Sequence, residues 1–287
     1  MVPGMATSPG PLEFLPADLA PGDAKSAALN GREFDVARIP SAESPLFAPA
    51  YQRLLAEFGP HELETRDVIA RRLTWFPTAC IEDGWLRYEL LLVRRGEQFV
   101  AARDHSVVVR AGKDGPRAIV HLSHVLVDPS WRRTGLAGWL RAWPIQSARA
   151  ALVAAGFSGG SPITLVAEME HPDPQFPARW IRLQAYEKAG FLKADPAVVP
   201  YLQPDFRPPA EIDASGQVRP LPFALVLRRV GREQERTWSG AELRDVVEGL
   251  YGIYGATSRA SDMAVVRRSL SQYPAADAQV ALVPPTL

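Results

Sequence analysis

The sequence predicts an α/β fold, and three observations predict it. Strand-like runs fill residues 86–127, after two segments of helical spacing. The last run ends at a proline-marked edge and a small-residue turn that opens a third helical segment at 135–155. A short strand, a helix closed by Gly190 and two late strands then succeed one another down to about residue 230.

In chain order, residues 1–32 come first. They are rich in Pro, Gly, Ala and Asp without a sustained period, and read as a flexible N-terminal arm with an apolar patch at Leu12, Phe14 and Leu15. Phe34, Val36 and Ile39 mark a first strand. Helices are expected at 46–58 and 62–73, split by the breaker pair Gly59 and Pro60. The apolar run 86–93 ends in a turn at 94–97, and 99–102 and 106–109 continue the sheet. A second turn at 112–115 leads into the strand 118–127. The helix at 135–155 contains Pro144, which removes one backbone hydrogen bond and should bend the axis near Leu140 to Ala142. Next come a strand at 162–167, a helix at 179–189 and late strands at 201–202 and 223–227, the last two around a loop with Pro204, Pro208 and Pro209. From 233 the character changes. Ser239 and Glu242 have capping-box spacing, and helices are expected at 243–254 and 260–270. The chain thus divides into an arm (1–32), a core domain (33–232) and a C-terminal helical extension (233–287). That extension either covers a cleft or makes a homodimer contact.

Composition excludes several classes. Of 287 residues, 47% are apolar and 22% charged, as in a globular protein with a proper core. Lys plus Arg and Asp plus Glu number 32 each, so no global field favours nucleic acid or an anionic membrane. No apolar run approaches the length of a spanning helix, and the N-terminus lacks a signal-peptide pattern. The one cysteine, Cys80, lies in an apolar stretch, reads as a small core residue and rules out an internal disulfide, which suits the cytoplasm. The tryptophans read as core and cleft packing, and the pairs Arg228, Arg229 and Arg267, Arg268 as solvated faces.

The most informative stretch runs from His121 to Leu140. It reads as a buried strand, a proline edge and a small-residue turn at the start of a helix. The first N–H groups of a helix lack internal partners and carry the positive end of its dipole, which makes a site for phosphate. Gly135, Ala137 and Gly138 let a ligand approach the backbone, and Arg132 and Arg133 add charge. No Gly-Lys-Ser/Thr comes after it, which disfavours a nucleotide P-loop.

Val125, Val127, Pro129, Trp131, Arg132, Gly135 and Ala137 together resemble the acetyl-CoA motif of the GNAT superfamily of N-acetyltransferases. Tyr186, Gly190 and Phe191 resemble its second signature, Tyr-x-x-x-Gly-Phe. The resemblance spans roughly 33–230 and is sharp at 120–140 and 180–192. It implies a mixed, mostly antiparallel sheet flanked by helices, binding of acetyl-CoA and direct transfer of the acetyl group to an amine. It further implies that the backbone of Val125 and Val127 holds the pantetheine arm. The N–H groups of Arg133, Thr134, Gly135, Leu136, Ala137 and Gly138 would hold the pyrophosphate, and Tyr186 would protonate the leaving thiolate. A phenol is protonated at neutral pH and can do so. The sequence departs from the pattern where an Asn commonly contacts pantetheine; Arg179 and Trp180 stand there.

The amine must lose a proton, and Glu168 and Glu170, at the end of the strand 162–167 and sharing a face, are the candidate acceptors. His121 and His124 are separated by an odd number of positions, which sends them to opposite faces of their strand. His171 lies beyond them in a proline-rich loop, 171–177, that borders the expected cleft. No metal-ligand spacing occurs. A second class of function stays open: a non-catalytic acyl-CoA sensor or scaffold on the same fold.

Overall fold

A computed structural model of the chain describes residues 16–112 and 114–287. The patch at Leu12, Phe14 and Leu15 and turn residue Lys113 lie outside the described residues. The elements are α1 (Ala24–Ala27), β1 (Asp35–Arg38), α2 (Phe47–Phe58), α3 (Arg66–Leu73), β2 (Ala79–Ile81), β3 (Gly84–Arg95), β4 (Gln98–Gly112) and β5 (Gly115–Val127). They continue as α4 (Leu136–Ala154), β6 (Ile163–Met169), α5 (Pro177–Lys188), β7 (Leu192–Ala194), β8 (Tyr201–Gln203), α6 (Pro209–Ser215) and β9 (Leu221–Arg229). The last are β10 (Thr237–Ser239), α7 (Gly240–Gly255), α8 (Ala260–Arg267) and β11 (Gln279–Val283).

Among the described residues the strands form one sheet in the order β1-β3-β4-β5-β6-β9-β7-β11-β10, with β2 on β3 and β8 on β9. β5 and β6 pair in parallel, and the other pairs are antiparallel. This is the expected α/β architecture, a mixed and mostly antiparallel sheet flanked by helices, with helices in its C-terminal segment. Alternation along the strands splits the core between two faces. Val107, Val120, Leu165 and Leu91 pack under α4 and α5, while Leu86, Tyr88, Val108, Ile119 and Val166 pack under α2, α3, α7 and α8. Each such aliphatic side chain, fully buried, contributes about 1.5–3 kcal/mol.

Several expectations change. β4 is one strand from 98 to 112 rather than two runs, because Arg103, Asp104 and His105, which break its apolar pattern, are themselves buried within it. Residues 16–32, expected as a flexible arm, pack on α4. Asp18 is buried and receives both terminal nitrogens of Arg149 at 2.9 and 2.6 Å, and Asp23 pairs with Arg141. The tail supplies strands as well as helices: β10 pairs with β11, and β11 joins the sheet at β7. Cys80 is exposed, since β2 is a three-residue strand on one side of β3 with its middle residue turned outward. Arg228 and Arg229 are buried and neutralised by Glu233, Glu235 and Glu242. As expected from the sequence, one helix runs through Pro144.

α7 lies close on the sheet where Gly249 faces β4 and β5. A Cβ there would stand 2.8 Å from Ile119 Cδ1 and 3.2 Å from Val108 Cγ1. Gly249→Leu should therefore lower the unfolding free energy by about 1–3 kcal/mol through overpacking. Urea titration followed by circular dichroism would show it as a lower midpoint at unchanged slope.

Candidate functional site

The site is organised by where β5 and β6 stop pairing. They pair only from Ala118 to His121 on β5 and from Ile163 to Val166 on β6. β5 runs on to Val127 and β6 to Met169, so among the described residues the β6-side edge of β5 has no strand partner over 122–127. Val125 and Val127 lie half-buried on that open stretch.

Beyond Val127 the chain turns sharply. Asp128 caps a 3-10 turn by accepting from Ser130 N at 3.0 Å, and Thr134 Oγ1 donates to Trp131 O at 2.8 Å. Arg132 Nε donates to Val127 O at 3.2 Å. Arg133 takes a left-handed conformation with φ of 65°, and Gly135 heads α4 with φ of 102°, where a Cβ would be strained. Among the described residues, the backbone N–H groups at 133–137 have no hydrogen-bond acceptor, while Gly138 N already donates to Gly135 O at 3.0 Å. Phe34 packs edge-on against Trp131 and Trp139, with ring centroids 5.4 and 5.7 Å apart, and fixes this corner to β1.

Tyr186 sits in the buried cluster that also holds Leu122, Ala167 and Met169 of the two diverging strands. Its ring meets Phe191 edge-on at 4.8 Å, and Phe191 N donates to Tyr186 O at 3.1 Å across the left-handed Gly190. Close by is Arg103, opposite Val125 in the β4–β5 register and fully buried. None of its three guanidinium nitrogens makes a well-formed hydrogen bond. Burial lowers its pKa, and the Tyr186 phenol is the first influence that supports its charge.

The opposite face carries a buried polar network. The β4–β5 register advances two residues on β4, from Asp104 to Ser106, against three on β5, from His124 to His121. That β-bulge overturns the expected alternation. His121 and His124 share one face, with His121 edge-on to Tyr254 at 5.6 Å and His124 against Phe58 at 4.8 Å. Both ring nitrogens of His124 face acceptors: Nδ1 meets Asp104 Oδ1 at 2.9 Å and Nε2 meets Glu62 O at 3.0 Å. Burial opposes the imidazolium, but Asp104 outweighs it and His124 is pushed up to about 9. Burial likewise opposes charge on Asp104, yet His124 and a 2.9 Å bond from Tyr88 Oη hold it at about 2.

Glu168 accepts hydrogen bonds from Tyr201 Oη, from Gln203 Nε2 at 2.7 Å and from Tyr254 Oη at 2.9 Å, and lies 3.5 Å from His121 Nε2. Burial alone would raise its pKa; His121 and these donors hold it below the usual range instead. Glu170 is paired with Arg179 at 2.6 Å and with Arg182. Arg179, standing where the family pattern has Asn, is thus committed to Glu170 and also reaches Asp173 at 3.6 Å.

Sequence reasoning missed Glu62, Arg103, Asp104 and Tyr254. Glu62 comes from the α2–α3 connection, yet lies within electrostatic reach of Glu170, Arg182, His124 and Arg179. Its carboxyl is raised first by burial and then by Glu170. The triplet Arg103, Asp104, His105 inside an apolar run was the available signal, because charged residues rarely occupy a buried strand without partners or a role.

No protein-family model matches the chain, and no curated protein matches it. Solved structures that it resembles include an aminoglycoside acetyltransferase from an uncultured soil metagenomic sample, in complex with sisomicin: 12% identity, 54% of this chain and 87% of that one, TM-score 0.29. Another is a tandem GNAT protein from the clavulanic acid biosynthesis pathway: 21% identity, 60% of this chain but only 46% of that one, TM-score 0.35. A third is FeeM, an N-acyl amino acid synthase from uncultured soil microbes: 11% identity, 70% and 92%, TM-score 0.33. Likenesses at these scores assign no role to any residue of this chain.

Two of the three buried histidines, His124 and His105, set opposite limbs of stability against pH. His124 has a folded pKa of about 9 against 6.5 unperturbed, so its stabilisation is full below 6.5 and lost as pH rises through 9. His105, buried with neither ring nitrogen partnered, is pushed down to about 4, so its contribution is full above 6.5 and lost as pH falls towards 4. Unfolding free energy should peak near pH 6.5, and Asp104→Asn should flatten the alkaline limb when chemical denaturation is repeated across pH.

Proposed function

We propose that this chain is a GNAT-type N-acyltransferase that takes an acetyl group from acetyl-CoA and passes it directly to an amine. The observation that carries the proposal is the junction of the unpaired β5 edge with the open N–H groups at 133–137. A parallel pair that separates offers peptide groups to an extended, amide-bearing arm, and a helix head offers N–H groups to a diphosphate. In this reading Val125 and Val127 hold the pantetheine amides. Arg132, Arg133, Thr134, Gly135, Leu136, Ala137 and Gly138 surround the pyrophosphate, with Gly135 and Ala137 keeping the approach free of bulk. The absence of metal-ligand spacing in the sequence fits direct transfer.

The amine nitrogen attacks the thioester carbonyl carbon, the C–S bond breaks, and the phenol of Tyr186 gives its proton to the departing sulfur. Arg103 beside it favours the resulting phenolate. The proton leaving the amine goes to a carboxylate on the acceptor side. Of the three carboxylates there, Glu62 is the one whose pKa is raised, by burial first and then by Glu170, which makes it the better proton acceptor. Glu168 and Glu170, the acceptors expected from sequence, then serve as charged positioning groups: one is saturated by three donors, the other held between two arginines. Neutral composition and helices without membrane-spanning character among the described residues accord with a small-molecule or protein amine as partner. A cytoplasmic setting, which supplies acetyl-CoA, belongs to the same reading.

Calorimetric titration with acetyl-CoA and a thiol-release assay over a panel of amines test this. Binding without thiol release on any amine would instead favour a sensor or scaffold. Tyr186→Phe should lower turnover by about 10²-fold or more while leaving the acetyl-CoA dissociation constant unchanged; unchanged turnover removes Tyr186 from the chemistry. Glu62→Gln should abolish the acid limb of the kcat/KM profile, whereas an intact limb assigns the proton to another group.

A further inference from the structure

The head of α4 is covered by the chain's own N-terminal segment. Ser26, 1% exposed, donates from Oγ to Gly135 O at 2.5 Å. A Cβ at Gly135 would stand 2.8 Å from the Lys25 carbonyl and 2.9 Å from Ser26 N. One at Gly138 would stand 2.0 Å from Ser26 Oγ and 2.8 Å from Asp23 Cγ. The glycines that keep this corner open are thus filled by residues 23–26. The Asp23 carboxylate lies beside the first turn of α4 and pairs with Arg141 one turn further along, through Nη2 and through Nε at 3.3 Å. Upstream, Ala20 is buried in the cluster that holds Tyr186, and Gly22 approaches the carbonyl of Lys188 on α5. Asp18 then anchors to Arg149. The segment therefore crosses from α4 to α5 and back to the head of α4.

We propose that residues 16–27 are a strap that covers the head of α4 and holds Arg141 through Asp23, and which acyl-CoA must displace to bind. This rests on the acyl-CoA reading and adds to it a regulated access step. Displacement exchanges one anion for another: the cofactor's diphosphate meets the helix N–H groups, and Arg141 passes from Asp23 to the incoming phosphate. The strap is built to leave. α1 is a single turn of four residues with no side-chain cap, too short to persist alone. Apart from Leu19, Ala20, Ser26 and the close approach of Gly22 to Lys188, its hold consists of carboxylates on arginines that reach solvent.

Amide hydrogen exchange on the full chain, with and without millimolar acetyl-CoA, tests the strap. The cofactor should speed exchange at 18–29 while slowing it at 133–138. The double variant Asp18→Ala/Asp23→Ala, checked for native circular dichroism, should bind acetyl-CoA about tenfold more tightly, because the apparent affinity rises in proportion to the population of the open form. If 133–138 become protected while 18–29 keep their protection, or if the variant binds no better than the natural chain, the strap is overturned and the acyl-CoA reading stands. If neither protein binds acetyl-CoA, both fall together.

Discussion

The separation of β5 from β6 after four paired residues is the constraint on which the rest of the molecule depends. A β-sheet ordinarily consumes every peptide group in its interior, and an open edge there would be costly. Here the opening is tolerated because both strands are held from outside. β5 stays paired with β4 as far as Val127, and β6 with β9 as far as Met169. The gap is therefore rigid on both sides. α4 starts beyond the end of β5 and α5 beyond the end of β6.

The bulge in β5 decides what faces the gap. One additional residue brings His121 and His124 to the same side and leaves Val125 and Val127 on the side of α4. The histidines then close a run of buried polar groups from Glu62 through His124 and Asp104 to Tyr88, and from His121 to Glu168, Tyr254 and Tyr201. Such a network is stabilising only when nearly every donor and acceptor is met. Most are met around Asp104 and Glu168, and this fixes the walls of the gap. Arg103, on the other face, is one exception, with a guanidinium whose nitrogens lack well-formed bonds, and His105 beside it is another. An uncompensated buried cation is costly, and under the proposed transfer its position next to Tyr186 would give that cost a chemical use.

Much of this was legible beforehand because the informative parts are local. Proline and glycine punctuation located the head of α4, and strand and helix periods gave the element order. What could not be read depends on contacts distant in sequence. The bulge leaves no mark in the sequence, so parity counting placed the two histidines on opposite faces. Arg103 and Asp104 looked like a break in a strand because their partners lie at Tyr88, His124 and Tyr186. Residues 16–32 looked unstructured since their composition has no period; their order comes from arginines on a helix more than 100 positions away. The tail's strands are three and five residues long and gain their identity only from pairing.

The corner where Phe34 sits between Trp131 and Trp139 has an optical consequence. Two indoles flank the phenyl ring at the junction between the N-terminal segment and the α4 turn. Indole emission responds to the polarity and mobility of its surroundings. Any rearrangement of that junction changes what these two rings touch, so the protein carries an intrinsic gauge of its own closure that needs no attached dye.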